Sequence, residues 1–311
     1  MIRKRRLLER SFSYILENIK KREEEQKVVW EELEKSTNIA GAYKRWESYR
    51  KQLTAYIIEE VEIGDTIAII GAGECNDIDL SKLLPYVSHI KLVDQKKESL
   101  QKAVERYQVP EERIEQIELD LWPISKAEFE RKLDQGSSIE ELLQFLQEET
   151  RKANQQVLQD LNVDVMINIG VYSQLNALLA SLFYIKREPY GLSEREQISR
   201  MFSYMNQQAV QKINDWIFSN SRKSVIGYEY AVFSTEEKEQ EQCQKVLELL
   251  QSGQVEFLQT MPMKRVEGGW QGESDLARRY RKREIVFKSN RYFIWNFLQE
   301  KQYIMQCYTI R

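Results

Sequence analysis

The segment Ile67-Ala68-Ile69-Ile70-Gly71-Ala72-Gly73-Glu74-Cys75-Asn76-Asp77-Ile78-Asp79-Leu80 holds the densest set of residues able to do chemistry. An apolar run that enters Gly-x-Gly and then a helix start lets the backbone approach a ligand closely, because glycine has no Cβ. The free N–H groups of such a helix start face that ligand. A second apolar run, Ile90-Lys91-Leu92-Val93, ends in Asp94. An acid there can accept hydrogen bonds from both hydroxyls of a ribose. A dinucleotide fingerprint needs a third glycine where this sequence has Asn76, whose side chain would obstruct helix packing or a pyrophosphate. The acidity of Glu74, Asp77 and Asp79 also disfavours a pyrophosphate, and it suits a ligand that bears an ammonium and a sulfonium.

Proton-handling groups are few. The single histidine, His89, sits just before an apolar run and reads as a strand cap rather than a base. The remaining candidate bases are Tyr172, Glu74 and Glu229. Tyr172-Ser173-Gln174 follows the apolar run Val163–Ile169, where Ser173 reads as a helix N-cap. Glu229 interrupts the apolar run Val225–Phe233, and a carboxylate in a buried strand needs a partner or a task. The competing reading pairs it with an arginine of 278–283.

Apolar runs at 65–70, 90–93, 114–119, 163–169 and 225–233 alternate with helical stretches at 96–107, 139–161, 173–185, 193–218 and 236–250. Such alternation predicts βαβ units and a doubly wound, mostly parallel sheet. Tyr292–Leu298 and Tyr303–Ile310, split by a polar tetrapeptide, predict a terminal antiparallel hairpin. The expected architecture is α/β, with seven strands. Residues 63–311 form the nucleotide domain and residues 1–62 a helical appendage with stripes at Leu8/Phe12/Ile15/Ile19 and Tyr43/Trp46/Tyr49/Leu53. Residues 252–284, with Gly268, Gly269 and Gly272, read as a loop able to cover a site. The helical N-terminus and that loop form the expected substrate cover, with Tyr43, Trp46 and Tyr49 beside the strand C-termini.

The 311 residues carry a net charge of only −3. That leaves no global basic field of the kind a dedicated nucleic-acid binder carries, although Arg3–Arg6 and Arg278–Arg283 are locally basic. Three dispersed cysteines, Cys75, Cys243 and Cys307, predict a reducing cytoplasm, no disulfide framework and no metal site. No apolar stretch is long enough to span a membrane.

The run from Ile67 to Leu121 resembles the cofactor half of class I S-adenosylmethionine-dependent methyltransferases. The resemblance implies that Gly71, Ala72 and Gly73 pass the methionine part of the cofactor, with Glu74 and Asp77 in the same loop. It implies that Asp94 binds the ribose and Asp120 the adenine amine, and that Leu121 or Trp122 packs on the ring. Asn168 and Gly170, after the fourth strand, would border cofactor and substrate, and Tyr172 and Glu229 would serve the reaction. Two positions depart from the family pattern: Ile69 stands where an acid is common and Cys75 where a third glycine is usual. The Asn-Pro-Pro-Tyr-type motif of nucleobase amino methylation is absent. The implied activity is methylation of a small molecule. A nucleic-acid or protein methyltransferase, and a binding module without activity, are the alternatives. A homo-oligomer stays open.

Overall fold

The computed structural model describes Leu33, Lys35 and residues 39–311. The basic run Arg3–Arg6 and the stripe from Leu8 to Ile19 lie outside the described residues.

The strands are β1 (Asp65–Ile70), β2 (Val87–Asp94), β3 (Ile114–Glu118), β4 (Val163–Ile169), β5 (Ser221–Ser234), β6 (Lys264–Arg265), β7 (Phe287–Leu298) and β8 (Lys301–Ile310). They pair in the order β3-β2-β1-β4-β5-β8-β7, with the two-residue β6 attached to β5 off this path. The first five strands of the path pair in parallel, while β8 runs antiparallel to both β5 and β7. The seven-stranded, mostly parallel sheet with a terminal hairpin is therefore present. Ile67, Ile69, Val165, Ile167 and Val225 are all buried, as a central parallel strand requires.

The helices are α1 (Ala42–Arg45), α2 (Glu47–Glu60), α3 (Leu80–Leu83), α4 (Lys97–Tyr107), α5 (Lys126–Asp134), α6 (Ile139–Gln155), α7 (Ala177–Ile185), α8 (Leu192–Asn220), α9 (Glu237–Gln251) and α10 (Glu267–Arg281). Two groups of residues are each internally compact. One spans 41–121, 157–173 and 209–311 and contains the whole sheet. In it α4 packs on β2 and β3, α9 on β5 and β7, and α2 on β7. Tyr49 and Tyr56 of α2 are fully buried, and Tyr49 stacks on Trp295 with ring centroids 5.3 Å apart. The aromatic stripe around Trp46 thus buries itself on the terminal hairpin, where Trp46 donates from Nε1 to the Phe297 carbonyl at 3.0 Å.

The other unit includes 122–156 and 174–208. Phe129 stacks on Phe145 and meets Phe202 edge-on. A capping box at Ser138 and Glu141 starts α6, which fixes its N-terminus by satisfying two free N–H groups.

Three local expectations are corrected. His89 lies inside β2 rather than at a strand cap. Ser173 does not cap a helix: α7 begins after Asn176, and the serine hydroxyl turns instead to Glu229. The glycine-rich stretch expected as a loop forms a short 3-10 helix at Val255–Thr260, then β6 and α10. Its glycines serve contact rather than disorder. A Cβ at Gly269 would stand 2.0 Å from the Glu229 carbonyl oxygen, and one at Gly272 would stand 2.4 Å from the Tyr172 ring.

Candidate functional site

Strand order reverses between β1 and β4: the chain winds one way to β3 and the other way to β5. Ligands of open α/β sheets bind in the crevice that this reversal opens at the strand C-termini. Register brings the chemistry-bearing residues to one level there. Ile70 pairs with Val93 and with Asn168, so Gly71, Asp94 and Ile169 follow side by side.

The loop after β1 has positive φ at Gly71, Gly73 and Cys75. Cys75 thus adopts, as a non-glycine residue, the left-handed geometry for which glycine is usual. Its strain is offset by burial and by anchoring of the segment. The Tyr107 hydroxyl donates to the Cys75 carbonyl at 2.8 Å, and Arg106 donates to the Glu74 carbonyl and the Asn76 side chain. Buried Arg50 donates to the Asn76 carbonyl at 2.8 Å, which fixes the same segment from α2. The Gly73 N–H donates to Asp94 Oδ2 at 2.9 Å. Among the described residues, no atom beyond its chain neighbours lies within 4 Å of where a Gly73 Cβ would stand, so the main chain is open to approach.

Asp94 accepts from Gly73 with one oxygen and from the Lys96 N–H with the other, both at 2.9 Å. Each carboxylate oxygen keeps a further lone pair. Burial raises the Asp94 pKa, and the backbone donors oppose that rise. Asp77 is pushed up to about 6 by desolvation, against which the Arg50 guanidinium acts weakly. Glu74 forms ion pairs with Arg106 at 2.8 Å and Lys102 at 3.1 Å; although burial raises it most, these cations leave it below the ordinary carboxylate value. Glu74 therefore ties the loop to α4. Asp120 follows β3 and is half-buried, and its charge supports that of Lys212. Leu121 beside it is buried.

Near the end of β4, Asn168 is buried with its side chain against the Tyr172 hydroxyl. Gly170 has φ +68°, and a Cβ there would stand 3.5 Å from Glu229 Oε1 and 3.7 Å from the Trp295 ring. Glu229 sits two residues past the Gly227 that pairs with Ile169, at a bulge in the β5–β8 ladder. Bulges re-aim side chains at such places. Its Oε1 accepts from the Ser173 hydroxyl at 2.7 Å, while its Oε2 is buried and unpartnered. Desolvation pushes its pKa up to about 7, with the Ser173 bond and the more distant Lys301 acting in the opposite direction. The expected alternative, an ion pair from Glu229 to the 278–283 run, does not form. Arg278 and Arg279 pair with Asp275 instead.

Tyr172 is buried, and its hydroxyl lies beside Asn168 rather than at Glu229. Its hydroxyl donates to Asn214 Oδ1, and Asn214 donates in turn to Asp275 at 2.8 Å. Burial first, then Asp275, raises the phenol well above its ordinary value. Tyr172 and Glu229, paired as candidate bases in the sequence, thus occupy different surroundings. Tyr49, Trp295 and Lys301 come to Glu229 from elements remote in sequence.

No family model and no curated protein matches this sequence. Among solved structures, the chain is similar to N-methyltransferase NodS from Bradyrhizobium japonicum WM9 in complex with S-adenosyl-L-homocysteine, at 8% identity and TM-score 0.40, over 90% of this chain and 97% of that one. It is likewise similar to magnesium protoporphyrin IX methyltransferase (ChlM) from Synechocystis PCC 6803 with bound SAM, at 8% identity and TM-score 0.40, over 87% and 85%. A third is the methyltransferase domain of bacterial CtHen1, at 14% identity and TM-score 0.36, over 85% and 99%. These three are methyltransferases, and at these scores the assignment of function stands on the chain's own geometry.

Proposed function

We propose that this chain is an S-adenosylmethionine-dependent methyltransferase acting on a small molecule. The observation that carries the reading is the loop 71–75, fixed by Asp94, Arg106, Tyr107 and Arg50 with its glycine backbone open at the β1/β4 reversal. The residues present fit the cofactor. Asp94 has lone pairs left for both ribose hydroxyls. Gly71, Ala72 and Gly73 offer backbone to the methionine part, and half-buried Asp77 offers negative charge to its ammonium. Asp120 and Leu121 would receive the adenine, and buried Asn168 and Gly170 would border the methyl-bearing end.

When bound, S-adenosylmethionine supplies a methyl group already activated by its sulfonium. The protein's work is then chiefly alignment, since holding reacting atoms about 3–3.5 Å apart and in line can supply much of the acceleration. Glu229 is the group placed to hold or take a proton, because it is buried beside Gly170 with one free oxygen.

A small acceptor is favoured over nucleic acid because the basic run is half consumed internally. Arg279 is buried and pairs with Asp275 and Asp215, and Arg278 also pairs with Asp275. Incubating the full chain with methyl-labelled S-adenosylmethionine and a cell extract tests this class. Label is expected in the low-molecular-weight fraction. Label that instead enters RNA or protein would overturn it.

A further inference from the structure

We propose that the acceptor carries a protonated amine, which Glu229 receives beside Gly170 against walls formed by Tyr49 and Trp295. This deepens the methyltransferase reading and rests on it.

Glu229 Oε2, the Tyr49 hydroxyl and Trp295 Nε1 are each buried with no partner. They come from three elements, β5, α2 and β7, and their residues are 3%, 1% and 3% exposed. A buried polar group left unsatisfied costs about 1–3 kcal/mol, more if charged. Such groups in native proteins call for an explanation. Glu229 is the one beside Gly170, where the benzo edge of Trp295 comes within 3.9 Å of a Cβ built there and Tyr49 stacks on the same indole, and its free oxygen has an explanation if a ligand completes it.

The charge decides which ligand. Burial raises the Tyr49 phenol most, and then Cys307, Asp77 and Glu229 raise it further. The cation felt by Glu229 is Lys301, which makes no ion pair with it and is itself held down to about 8, mainly by desolvation and then by Lys264. An anionic acceptor group would add to this repulsion. A neutral hydroxyl would leave a buried carboxylate uncompensated. An ammonium neutralises it, and aromatic walls favour a cation.

The same placement gives a proton route. An ammonium has no lone pair to react with, so it must first lose a proton. Glu229 Oε2 is the unpartnered acceptor, so the N–H bond breaks, its electron pair stays on nitrogen, and the proton goes to Oε2. The Ser173 hydroxyl remains bonded to Oε1 throughout.

Binding to the full chain saturated with S-adenosylhomocysteine tests the proposal without turnover. The probes are methylamine and benzylamine as hydrochlorides, each against its alcohol, methanol and benzyl alcohol, at pH 8. Calorimetry or ligand-detected NMR is expected to show each amine binding at least tenfold more tightly than its alcohol. Glu229→Gln, which keeps the Ser173 acceptor, should erase that preference while S-adenosylhomocysteine affinity stays within twofold. Retained affinity also shows that the variant is folded. Equal binding of amine and alcohol, an amine preference that survives Glu229→Gln, or no amine binding beside intact S-adenosylhomocysteine binding would overturn the amine assignment alone. Failure of S-adenosylhomocysteine itself to bind would overturn the methyltransferase reading and this inference with it.

Discussion

Glu229 and Asp94 are both carboxylates at strand ends, yet their surroundings give them opposite tasks. Asp94 is bonded by two backbone N–H groups and serves as an anchor. Glu229 has one hydroxyl and an empty side, and its pKa rises to about 7. Its folded-state value therefore exceeds the ordinary 4.5 of an unfolded chain. The folded protein keeps a proton there that the unfolded chain sheds. The contribution is fully favourable below about pH 4.5 and is lost as pH rises towards 7. Asp77, raised to about 6, acts in the same direction. Facing Glu229 are Ser173, Lys301 of β8, and the phenols of Tyr49 and Tyr303. Glu229→Gln should therefore stabilise the ligand-free protein at pH 8 by roughly 2–3 kcal/mol, with the gain fading towards pH 5. Urea melts at the two pH values check this, and a gain independent of pH would assign the effect to something other than the buried charge. At Asp94 the expectation is different. Asp94→Ala removes a ligand contact and also releases the Gly73 N–H, so S-adenosylhomocysteine affinity should fall by about 1.5–3 kcal/mol or more. Unchanged affinity in a calorimetric titration would remove Asp94 from the site.

At the scale of elements, α10 is the instructive case. Gly268, Gly269 and Gly272 weaken a helix by propensity, and a sequence reading rightly registers them as breakers. The helix forms because those glycines let it dock against β5 and the Tyr172 turn closer than any side chain allows. Gly269→Ala sets the two effects against each other. Propensity would gain about 1 kcal/mol, while a Cβ 2.0 Å from a carbonyl oxygen forces a backbone shift. Overpacking of that kind costs about 1–3 kcal/mol, and the contact is too close for the lower end. The variant should be less stable on thermal melting; a stabilised variant would mean that α10 does not dock as described. Elements with a strong period were legible in the sequence. The strands 65–70 and 163–169 and the helix α9 lie within a residue or two of expectation, because burial on both faces or one stripe leaves its mark locally. Tertiary contact is what the sequence hides. The turn of Ser173 from a helix cap to Glu229 depends on a partner 56 positions away.

For the molecule as a whole, the level at which Gly71, Asp94 and Asn168 converge was legible because a doubly wound sheet brings its strand ends together by topology. The aromatic and carboxylate cluster was not. Tyr49 and Trp295 come beside Glu229, and Trp46 packs on Trp295, only once α2 has packed on the terminal hairpin. Their stripe was visible, but its partner was not. The same holds for charge: Arg278 and Arg279 read as an exposed basic run, yet they complete a buried chain through Asp275 and Asn214 to Tyr172. With a net charge of −3, the protein should pass through a heparin column at about 0.15 M salt. Firm retention would reopen the nucleic-acid alternative.

The central claim is that the crevice at the end of β1 takes S-adenosylmethionine, and calorimetric titration of the full chain with S-adenosylhomocysteine tests it most directly. One site with a dissociation constant in the micromolar range, about −8 kcal/mol, is expected, unaffected by excess NAD. Absence of binding, or tight binding of NAD in its place, would contradict the account.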